Sequence, residues 1–482
     1  MTARGKTILW TGGDAAAATG GNCEATFSAT GVAIDSRAVS PGDLFVALEG
    51  PNFDGHDFVA DALLGGAVAV MVHRPPIGMS GGVPMLMVAD TMAALEALGV
   101  AARNRSRGRV CAITGSVGKT GVKDALKLVL GGQGPVSASM GSFNNHWGLP
   151  LSLARMDPDA AFAIFEIGMN HPGEIAPLSR MARPHVGVIT TVEAVHDEFF
   201  ASVEQIADAK AEVFAGMEPG GVAVLNRDNP HFERLAAAAR ANGAETVIGF
   251  GAHEGAEARL IAAAQDAEGS AVEAEVGGQR LAYRVGIPGG HWVINSLATL
   301  AAVAALGGGV AAAAGALSGL CASAGRGRRH RVRLAGGSFL LIDESYNASP
   351  VSMAAAIEVL GRARPASGGR RIAVLGDMLE LGADSGDRHA ALAGPLQAGG
   401  VELVFTTGSA MGRLWDALPR DMRGGHAATA ELLAPLVTAA ARPGDVFAVK
   451  GSQASRTGRI VMALLALDRD GEHARQRAVN GE

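Results

Sequence analysis

The stretch that decides the fold is Ile113-Thr-Gly-Ser-Val-Gly-Lys-Thr120. An apolar, strand-like run leads into it and a helix-like pattern follows it, which is the setting of a phosphate-binding loop. Gly115 and Gly118 would let backbone N–H groups turn toward an anion, and the start of the helix adds partial positive charge. The stretch therefore predicts a strand–loop–helix unit that binds the phosphates of a nucleotide.

Two side chains at the end of this loop would carry the chemistry of phosphate binding. Lys119 would reach the outer phosphates, and the hydroxyl of Thr120 would bind Mg²⁺. The standard motif has glycine where this chain has Ile113, so the loop is of a variant type. The alternative is a glycine-rich turn with an exposed lysine, which the Gly-Lys-Thr placement disfavours.

Further apolar runs on both sides of the loop predict a sheet. They alternate with helical patterns, which is typical of a mostly parallel sheet covered on both faces. In the middle of the chain these runs are Val110–Ile113, Ala161–Phe165, Val186–Ile189 and Val222–Leu225. Beyond a basic, glycine-rich joint they are Phe339–Ile342, Arg371–Leu375, Leu403–Phe405 and Val446–Val449.

Changes in this pattern divide the chain into three predicted domains. Residues 1–107 would form a small α/β domain, and residues 108–328 a central domain of the P-loop ATPase-like type with a mostly parallel sheet. Residues 329–482 would form a smaller Rossmann-like domain, although they contain no glycine fingerprint of their own. The predicted fold class is therefore α/β with three domains.

Composition narrows the class of protein. The chain has 482 residues, of which 18% are charged, and a net charge of −6. Lys and Arg are spread along the chain, which argues against nucleic-acid binding and against a membrane surface. The uncharged segment Trp292–Gly325 is broken by glycines and predicts two buried Ala-rich helices instead of a membrane span. Three separated cysteines fit a reducing compartment, so we expect a soluble, cytoplasmic protein.

Three residues of the predicted central domain are candidate metal ligands. Glu166 ends one strand and His196 follows the next, at the edge of the sheet where such folds bind ligands. Lys210 lies on the inward stripe of a helix, where a free ammonium group is costly to desolvate. Either this side chain extends to solvent, or its amine is modified or matched by a buried anion.

These motifs resemble the ATP-dependent Mur ligases of peptidoglycan synthesis. The resemblance is carried by Thr114–Thr120 and by Phe165-Glu-Ile-Gly-Met-Asn-His-Pro-Gly-Glu-Ile175. It is also carried by His196, which Lys210 follows fourteen residues later. The resemblance implies that Glu166 and His196 bind Mg²⁺ and that Lys210 is carbamylated to support a second Mg²⁺. A carbamate would turn the inward-facing ammonium into an anionic ligand.

The resemblance covers the whole chain and implies the substrates. Ile34–Ala47 and Asp54–Phe58 are similar to the family's uridine-nucleotide-binding first domain. Ser142–Leu151, Leu341–Pro350 and Val374–Gly382 resemble the member that adds D-alanyl-D-alanine to UDP-N-acetylmuramoyl-tripeptide. The implied substrate-binding residues are Ser36, Arg37, Phe45, His56, Asn144 and Asn145.

The resemblance also implies a set of ATP contacts. Asn295 would bind the adenine and Tyr346 would pack on it, while Arg326 would meet the γ-phosphate and Asp343 the ribose or phosphates. The implied nucleotide-binding residues are Thr114, Gly115, Ser116, Val117, Gly118, Lys119, Thr120, His291, Asn295, Arg326, Asp343 and Tyr346. The implied metal ligands are Thr120, Glu166, His196 and Lys210, and the implied catalytic residues are Lys119, Glu166, His196, Lys210 and Arg326.

The implied activity is the ATP-dependent formation of an amide bond. The γ-phosphoryl group passes to a substrate carboxylate to give an acyl phosphate, and the amine of the second substrate then displaces phosphate. We expect a monomer that uses ATP and two Mg²⁺ and has no nucleic-acid partner. The alternatives are a sister ligase that adds the third peptide residue, a ligase similar to folylpolyglutamate synthetase, and a regulatory protein in which the nucleotide only switches the conformation.

Overall fold

The computed structural model describes residues 7–76, 82–141, 143–194 and 198–468. Three large sheets, of five, nine and six strands, follow one another along this described part of the chain, which also contains two two-stranded sheets. Helices pack against each of the large sheets. We refer to the three parts as the N-terminal, central and C-terminal units. The α/β fold class predicted from the sequence is confirmed.

The N-terminal unit is built on a sheet with the strand order β2-β9-β8-β5-β4. Its strands are β1 (Trp10–Thr11), β2 (Asn22–Cys23), β3 (Ser28–Ala29), β4 (Gly31–Ala33), β5 (Asp43–Val46), β6 (Glu49–Gly50), β7 (Phe53–Asp54), β8 (Ala69–Val72) and β9 (Met85–Met87), and its helices are α1 (Gly12–Thr19), α2 (Val59–Leu64) and α3 (Thr91–Arg105). Successive side chains of a strand point to opposite faces. Leu44 and Val46 therefore join the apolar cluster that contains α3, whereas Phe45 joins the cluster that contains α2.

The central unit is built on a nine-stranded sheet with the order β11-β12-β10-β13-β14-β15-β16-β17-β18. Its strands are β10 (Arg109–Thr114), β11 (Val136–Ala138), β12 (Phe162–Glu166), β13 (Val186–Ile189), β14 (Gly221–Asn226), β15 (Ala244–Gly251), β16 (Ala258–Gln265), β17 (Ser270–Val276) and β18 (Gln279–Val285). Its helices are α4 (Lys119–Gly131), α5 (Gly148–Ala154), α6 (Ile175–Ala182), α7 (Val203–Ala211), α8 (Phe232–Ala241), α9 (Gly290–Ala305) and α10 (Val310–Ala316). The strands from β11 to β16 are parallel, as expected.

Two features of the central unit bear on the sequence predictions. Both faces of the sheet are covered, one by α4, α9 and α10 and the other by α5 to α8. The uncharged segment forms two helices, as expected; α9 is largely buried, but only Ala313 and Ala314 of α10 are. None of the described helices is long and apolar enough to cross a bilayer. The antiparallel strands β17 and β18, which extend the sheet, were not predicted.

The C-terminal unit is built on a six-stranded sheet with the order β19-β20-β24-β21-β22-β23. Its strands are β19 (Arg328–Leu334), β20 (Gly337–Glu344), β21 (Arg371–Gly376), β22 (Leu403–Thr407), β23 (Arg423–Ala427) and β24 (Val446–Lys450). Its helices are α11 (Pro350–Arg362), α12 (Ser385–Ala390), α13 (Ala393–Ala398), α14 (Met411–Ala417), α15 (Ala430–Ala440) and α16 (Gly458–Leu465). Because β20 to β24 are parallel, their carboxyl ends share one edge, which faces the central unit across a cleft.

Candidate active site

The loop between β10 and α4 has the backbone of an anion cradle. Gly115 has φ of 145° and Gly118 has φ of 88°, values that favour glycine. A Cβ atom on Gly115 would lie 2.0 Å from Oγ1 of Thr190, and one on Gly118 would lie 2.9 Å from Oδ1 of Asn295. Since the first N–H groups of a helix lack intrahelical partners, the start of α4 at Lys119 can offer them to phosphate oxygens.

Neighbouring strand ends brace the loop from below. The Thr190 hydroxyl donates to the carbonyl oxygen of Val117 at 2.5 Å, and the N–H of Ser116 donates to the carbonyl of Thr191 at 2.9 Å. The Ser116 hydroxyl donates to the carbonyl of Glu193 at 3.1 Å. These contacts hold the loop in shape without using the N–H groups at the start of α4. The sequence analysis did not identify the role of Thr190, which depends on the pairing of β10 with β13.

Lys119 extends along the loop. Its Nζ donates to the carbonyl oxygens of Gly115, at 2.6 Å, and Ser116, at 3.4 Å. Burial lowers the pKa of Lys119, the charge of Glu166 raises it, and the charge of Arg326 lowers it further. An anion bound over the loop would offset the repulsion between the two cations.

Thr120, Glu166 and Asn144 meet beside the loop, where β12 ends. The Thr120 hydroxyl donates to Oε2 of Glu166 at 2.7 Å, and Nδ2 of Asn144 donates to Oε1 at 2.8 Å. The Glu166 side chain is buried, with 1% of its surface exposed, and Ser139 accepts its N–H at 3.2 Å. A hydroxyl and a carboxylate at hydrogen-bond distance form an oxygen pair of the kind that Mg²⁺ prefers. The donor set therefore fits the predicted cation.

The structure describes only one of the other two predicted metal ligands, His196 and Lys210. His196 lies outside the described residues. Lys210 lies on α7 with 2% of its surface exposed, so its predicted inward position is confirmed. Burial, and then the charge of Lys119, hold the pKa of Lys210 well below its usual range. A charged ammonium is therefore unfavourable here, whereas modification of the amine stays a prediction.

The opposite wall of the cleft carries Arg326 and Tyr346. The guanidinium carbon of Arg326 lies 4.2 Å from the centre of the Tyr346 ring, a cation–π contact that holds the arginine at the joint. His291 and Asn295, on the first turns of α9, line the same cleft, and their contacts with a nucleotide stay predictions. We call Arg326, Tyr346 and the ends of β20 and β24 the C-terminal wall. The loop from Gly115 to Thr120, with Glu166, is the central wall.

Asp343 is placed differently from the other predicted nucleotide contacts. Its carboxylate accepts the N–H of Gly325 at 2.8 Å, and the N–H and hydroxyl of Ser345 at 3.1 and 2.6 Å. Asp343 is buried and does not line the cleft. It holds the joint that carries Arg326, and its contact with a ribose or phosphate stays a prediction.

The predicted uridine-nucleotide residues lie in the N-terminal unit, and none of them lines the cleft. Ser36 and Arg37 stand on a short turn, and Arg37 is 87% exposed and paired with Asp35 at 2.7 Å. Nδ1 of His56, a buried side chain, lies 2.7 Å from Oδ1 of Asp54, and the Phe45 side chain is part of the core. The Phe45 ring is therefore a packing group, and its backbone lies between the paired strands β4 and β8.

Asn144 and Asn145 line the cleft, next to the end of β12. The side-chain oxygen of Asn145 accepts the N–H of Gly148, the first residue of α5, at 3.0 Å, so this side chain also stabilises the start of the helix. The cleft has a volume of about 1480 Å³, enough for a nucleotide and part of a second substrate. The sequence analysis missed Glu344 and Lys450, which line the cleft and form an ion pair at 3.6 Å.

Family models match the three parts of the chain in turn. The model of the Mur ligase family catalytic domain matches residues 28–106, and that of the Mur ligase middle domain matches residues 113–303. The model of the Mur ligase glutamate ligase domain matches residues 327–453. The UDP-N-acetylmuramoyl-tripeptide–D-alanyl-D-alanine ligase of Rickettsia prowazekii is 32% identical over 430 residues, 89% of this chain and 94% of that protein. The chain belongs to the Mur ligase family.

Other relatives and solved structures agree with this placement. The Escherichia coli protein of the same name is 34% identical to this Mur ligase over 78% of the chain and 81% of that protein. The crystal structure of MurF from Acinetobacter baumannii has a TM-score of 0.80 and 27% identity, and covers 95% of this chain and 99% of that one. MurF from Thermotoga maritima in complex with ADP has a TM-score of 0.74 and 27% identity, over 91% of this chain and 98% of that one.

Proposed function

We propose that this Mur ligase joins D-alanyl-D-alanine to UDP-N-acetylmuramoyl-tripeptide and hydrolyses ATP to ADP and phosphate in doing so. The observation that carries the proposal is the convergence of the oxygen pair of Thr120 and Glu166 on the anion cradle of the loop. The names of the curated relatives supply the two substrates, and these relatives match most of the chain. The protein acts in the cytoplasm as a monomer.

The central wall holds the phosphates and the metal. The N–H groups at the start of α4, with Lys119, bind the triphosphate, while Asn295, His291 and Tyr346 face the base. Thr120 and Glu166 would bind Mg²⁺, and His196 and a carbamylated Lys210 would be the further ligands of two ions. Mg-ATP bound there would supply the phosphoryl group for an acyl phosphate on the tripeptide carboxylate, and the metal would offset the negative charge of the two groups.

The residues of the chain then favour amide formation over hydrolysis. Lys119 and Arg326, from opposite walls, stabilise the negative charge on the transferring group. Asn144 keeps the Glu166 carboxylate in place through its 2.8 Å hydrogen bond. Since an acyl phosphate reacts readily with water, the C-terminal wall must cover the central wall while the amine attacks.

The test is release of ADP in the presence of UDP-N-acetylmuramoyl-tripeptide and a panel of amines. We expect release only when both the tripeptide and D-alanyl-D-alanine are present. Release that ignores the dipeptide, or that prefers a single amino acid with a UDP-muramoyl dipeptide, would contradict the proposal. The latter result would indicate a sister ligase.

The carbamate at Lys210 has a test of its own. Removal of CO₂ and bicarbonate from the intact protein should lower activity, and added bicarbonate should restore it. A protein whose activity ignores bicarbonate at every pH would leave Lys210 as an unmodified lysine. This outcome would not affect the assignment of the substrates.

A further inference from the structure

The carboxylate of Glu166 is held at both of its oxygens, and the two hydrogen bonds come from different parts of the central unit. Oε2 accepts the hydroxyl of Thr120, on the first turn of α4, at 2.7 Å. Oε1 accepts an N–H of the Asn144 side chain at 2.8 Å. The orientation of the carboxylate beside the phosphate loop therefore depends on the contacts that hold Asn144.

Asn144 lies on the segment between β11 and α5, which has no regular secondary structure in its described residues, 139–141 and 143–147. The carbonyl oxygen of Asn144 accepts the N–H of Gly168, just after β12, at 2.8 Å. A Cβ atom on Gly168 would lie 2.8 Å from Cγ of Asn144, so the two parts of the chain pass closely. Because a loop lacks the regular hydrogen bonds of a helix or sheet, the few contacts of this segment decide where Asn144 lies.

Lys123 makes one of these contacts from α4. Its Nζ donates to the carbonyl oxygen of Gly141 at 2.7 Å. Gly141 lies in the turn that leads to Asn144, where the N–H of Phe143 donates to the carbonyl oxygen of Met140 at 3.2 Å. The ammonium group of Lys123 therefore fixes the backbone three residues before Asn144.

Lys123 and Thr120 share one face of α4. They are three residues apart, a spacing that places two side chains next to each other on a helix. Thr120 reaches Glu166 directly, whereas Lys123 reaches it through the segment that carries Asn144. A single helix therefore sets the positions of both groups that hold the carboxylate.

The burial of Lys123 argues for a specific role of its charge. The residue is 2% exposed and does not line the cleft, so it acts on a ligand only through other residues. Taking an ammonium group out of water costs free energy that an apolar side chain of similar size does not. A methionine would fill the same space without this cost, but the carbonyl oxygen of Gly141 would lose its donor. The charge therefore adds position more than stability.

Asp124 offsets the charge of Lys123 and extends the network. Its Oδ1 lies 3.2 Å from Nζ of Lys123, and its Oδ2 accepts the hydroxyl of Ser323 at 2.7 Å. Asp124 lines the cleft, and 31% of its side chain is exposed. The pair of Lys123 and Asp124 thus connects the segment of Asn144 with the joint that carries Arg326.

We propose, on the basis of the proposed function, that Lys123 is a positioning residue for the cation site. Through the carbonyl of Gly141 it keeps Asn144 in place. Asn144 in turn keeps the carboxylate of Glu166 beside the hydroxyl of Thr120. Loss of the ammonium group should therefore weaken the binding of Mg²⁺ and leave the contacts between the loop and the phosphates intact.

The test measures the binding of a non-hydrolysable ATP analogue by calorimetry, with and without Mg²⁺. In Lys123→Met the analogue should bind without Mg²⁺ as tightly as it does in the wild-type protein. The Mg²⁺ concentration that gives half of the effect on binding should rise at least about 10-fold, because loss of a residue that orients a metal ligand typically costs about 10- to 100-fold in metal affinity. A general loss of structure would weaken binding under both conditions.

Three further variants sharpen the result. Lys127→Met removes an exposed lysine of the same helix and should leave both measurements unchanged. Lys123→Arg keeps a donor for the carbonyl oxygen and should recover part of the Mg²⁺ affinity. Asn144→Ala should show the same selective loss, and its combination with Lys123→Met should be no worse than Asn144→Ala alone, because both changes act on one contact.

Three outcomes would overturn the assignment. The first is wild-type Mg²⁺ affinity in Lys123→Met, the second is a loss of binding that is as large without Mg²⁺ as with it, and the third is the addition of the two losses in the double variant. Failure of the proposed substrates is distinguishable, because these measurements contain neither the tripeptide nor the dipeptide. A wild-type protein that binds the analogue equally with and without Mg²⁺ would contradict the cation site itself, and this inference with it.

Discussion

The two walls of the cleft are built in different ways. The central wall is held by hydrogen bonds between neighbouring strand ends of one sheet, such as the 2.7 Å bond from Thr120 to Glu166. The C-terminal wall carries Arg326 on a joint between units, and a side-chain hydrogen bond from Ser323 to Asp124, at 2.7 Å, links this joint to α4. One unit alone therefore shapes the groups that activate the carboxylate. The groups that complete coupling depend on how the second unit is held.

The largest effect is expected from the central wall. Lys119→Met should lower tripeptide-dependent ADP release by at least about 10³-fold, because it removes a cation from the transferring phosphoryl group. Steady-state ADP release measures the effect. Lys127→Met, an exposed lysine on the same helix, is the matched control and should behave as wild type. Similar losses in both variants would mean that the charge of α4 as a whole, and not its first residue, is responsible.

Lys210→Ala should come next, with a loss of about 10² to 10³-fold, since it removes one proposed metal ligand. Added bicarbonate should not restore this variant, because no amine remains to be carbamylated. The wild-type protein depleted of bicarbonate is the comparison, and it should recover. Full activity in Lys210→Ala would show that the central wall works without this side chain.

Arg326→Ala should test the C-terminal wall, with a loss of about 10²-fold in the overall reaction. Because the loop and the pair of Thr120 and Glu166 remain intact, binding of a non-hydrolysable ATP analogue, measured by calorimetry, should weaken far less than turnover. Arg328→Ala is the control, because Arg328 is exposed and does not line the cleft. An equal loss of binding and turnover would contradict the account, because Arg326 would then be needed for nucleotide binding as much as the central wall is.

The smallest effect is expected at the link between the walls. Ser323→Ala removes the hydrogen bond to Asp124 and should lower kcat by about 3- to 5-fold, the equivalent of about 1 kcal/mol. Hydroxylamine traps an acyl phosphate as a hydroxamate, so hydroxamate formation reports on the central wall alone. In Ser323→Ala the rate of hydroxamate formation should fall less than the rate of dipeptide addition. Ser318→Ala, which removes a bond within its own turn, should change neither reaction.

The difference between the two walls also explains how much could be predicted from the sequence. Thr114–Thr120 is a short continuous motif, and Glu166 ends a predicted strand, so local pattern was enough to place both at the same edge of the sheet. Lys210 could be placed by helix periodicity, and its burial is confirmed. His196 stays a prediction. The α/β class and most strands could be predicted because buried parallel strands are continuous apolar runs.

The C-terminal wall was only partly predictable. Glu344 and Lys450 are far apart in sequence, and they meet because β24 lies next to β20, a strand order that no local pattern reveals. Asp343 illustrates the same limit, since a buried carboxylate at a strand end can face a ligand or brace a joint. The N–H groups of Gly325 and Ser345, which show that Asp343 holds the joint, are placed by the fold and not by a local pattern.

The most direct test of the account is a crystal structure with a non-hydrolysable ATP analogue and Mg²⁺. The account predicts the triphosphate over residues 115–120, a cation bound by the hydroxyl of Thr120 and the carboxylate of Glu166, and extra density on Nζ of Lys210. A nucleotide bound elsewhere, or a cation that contacts neither Thr120 nor Glu166, would contradict it.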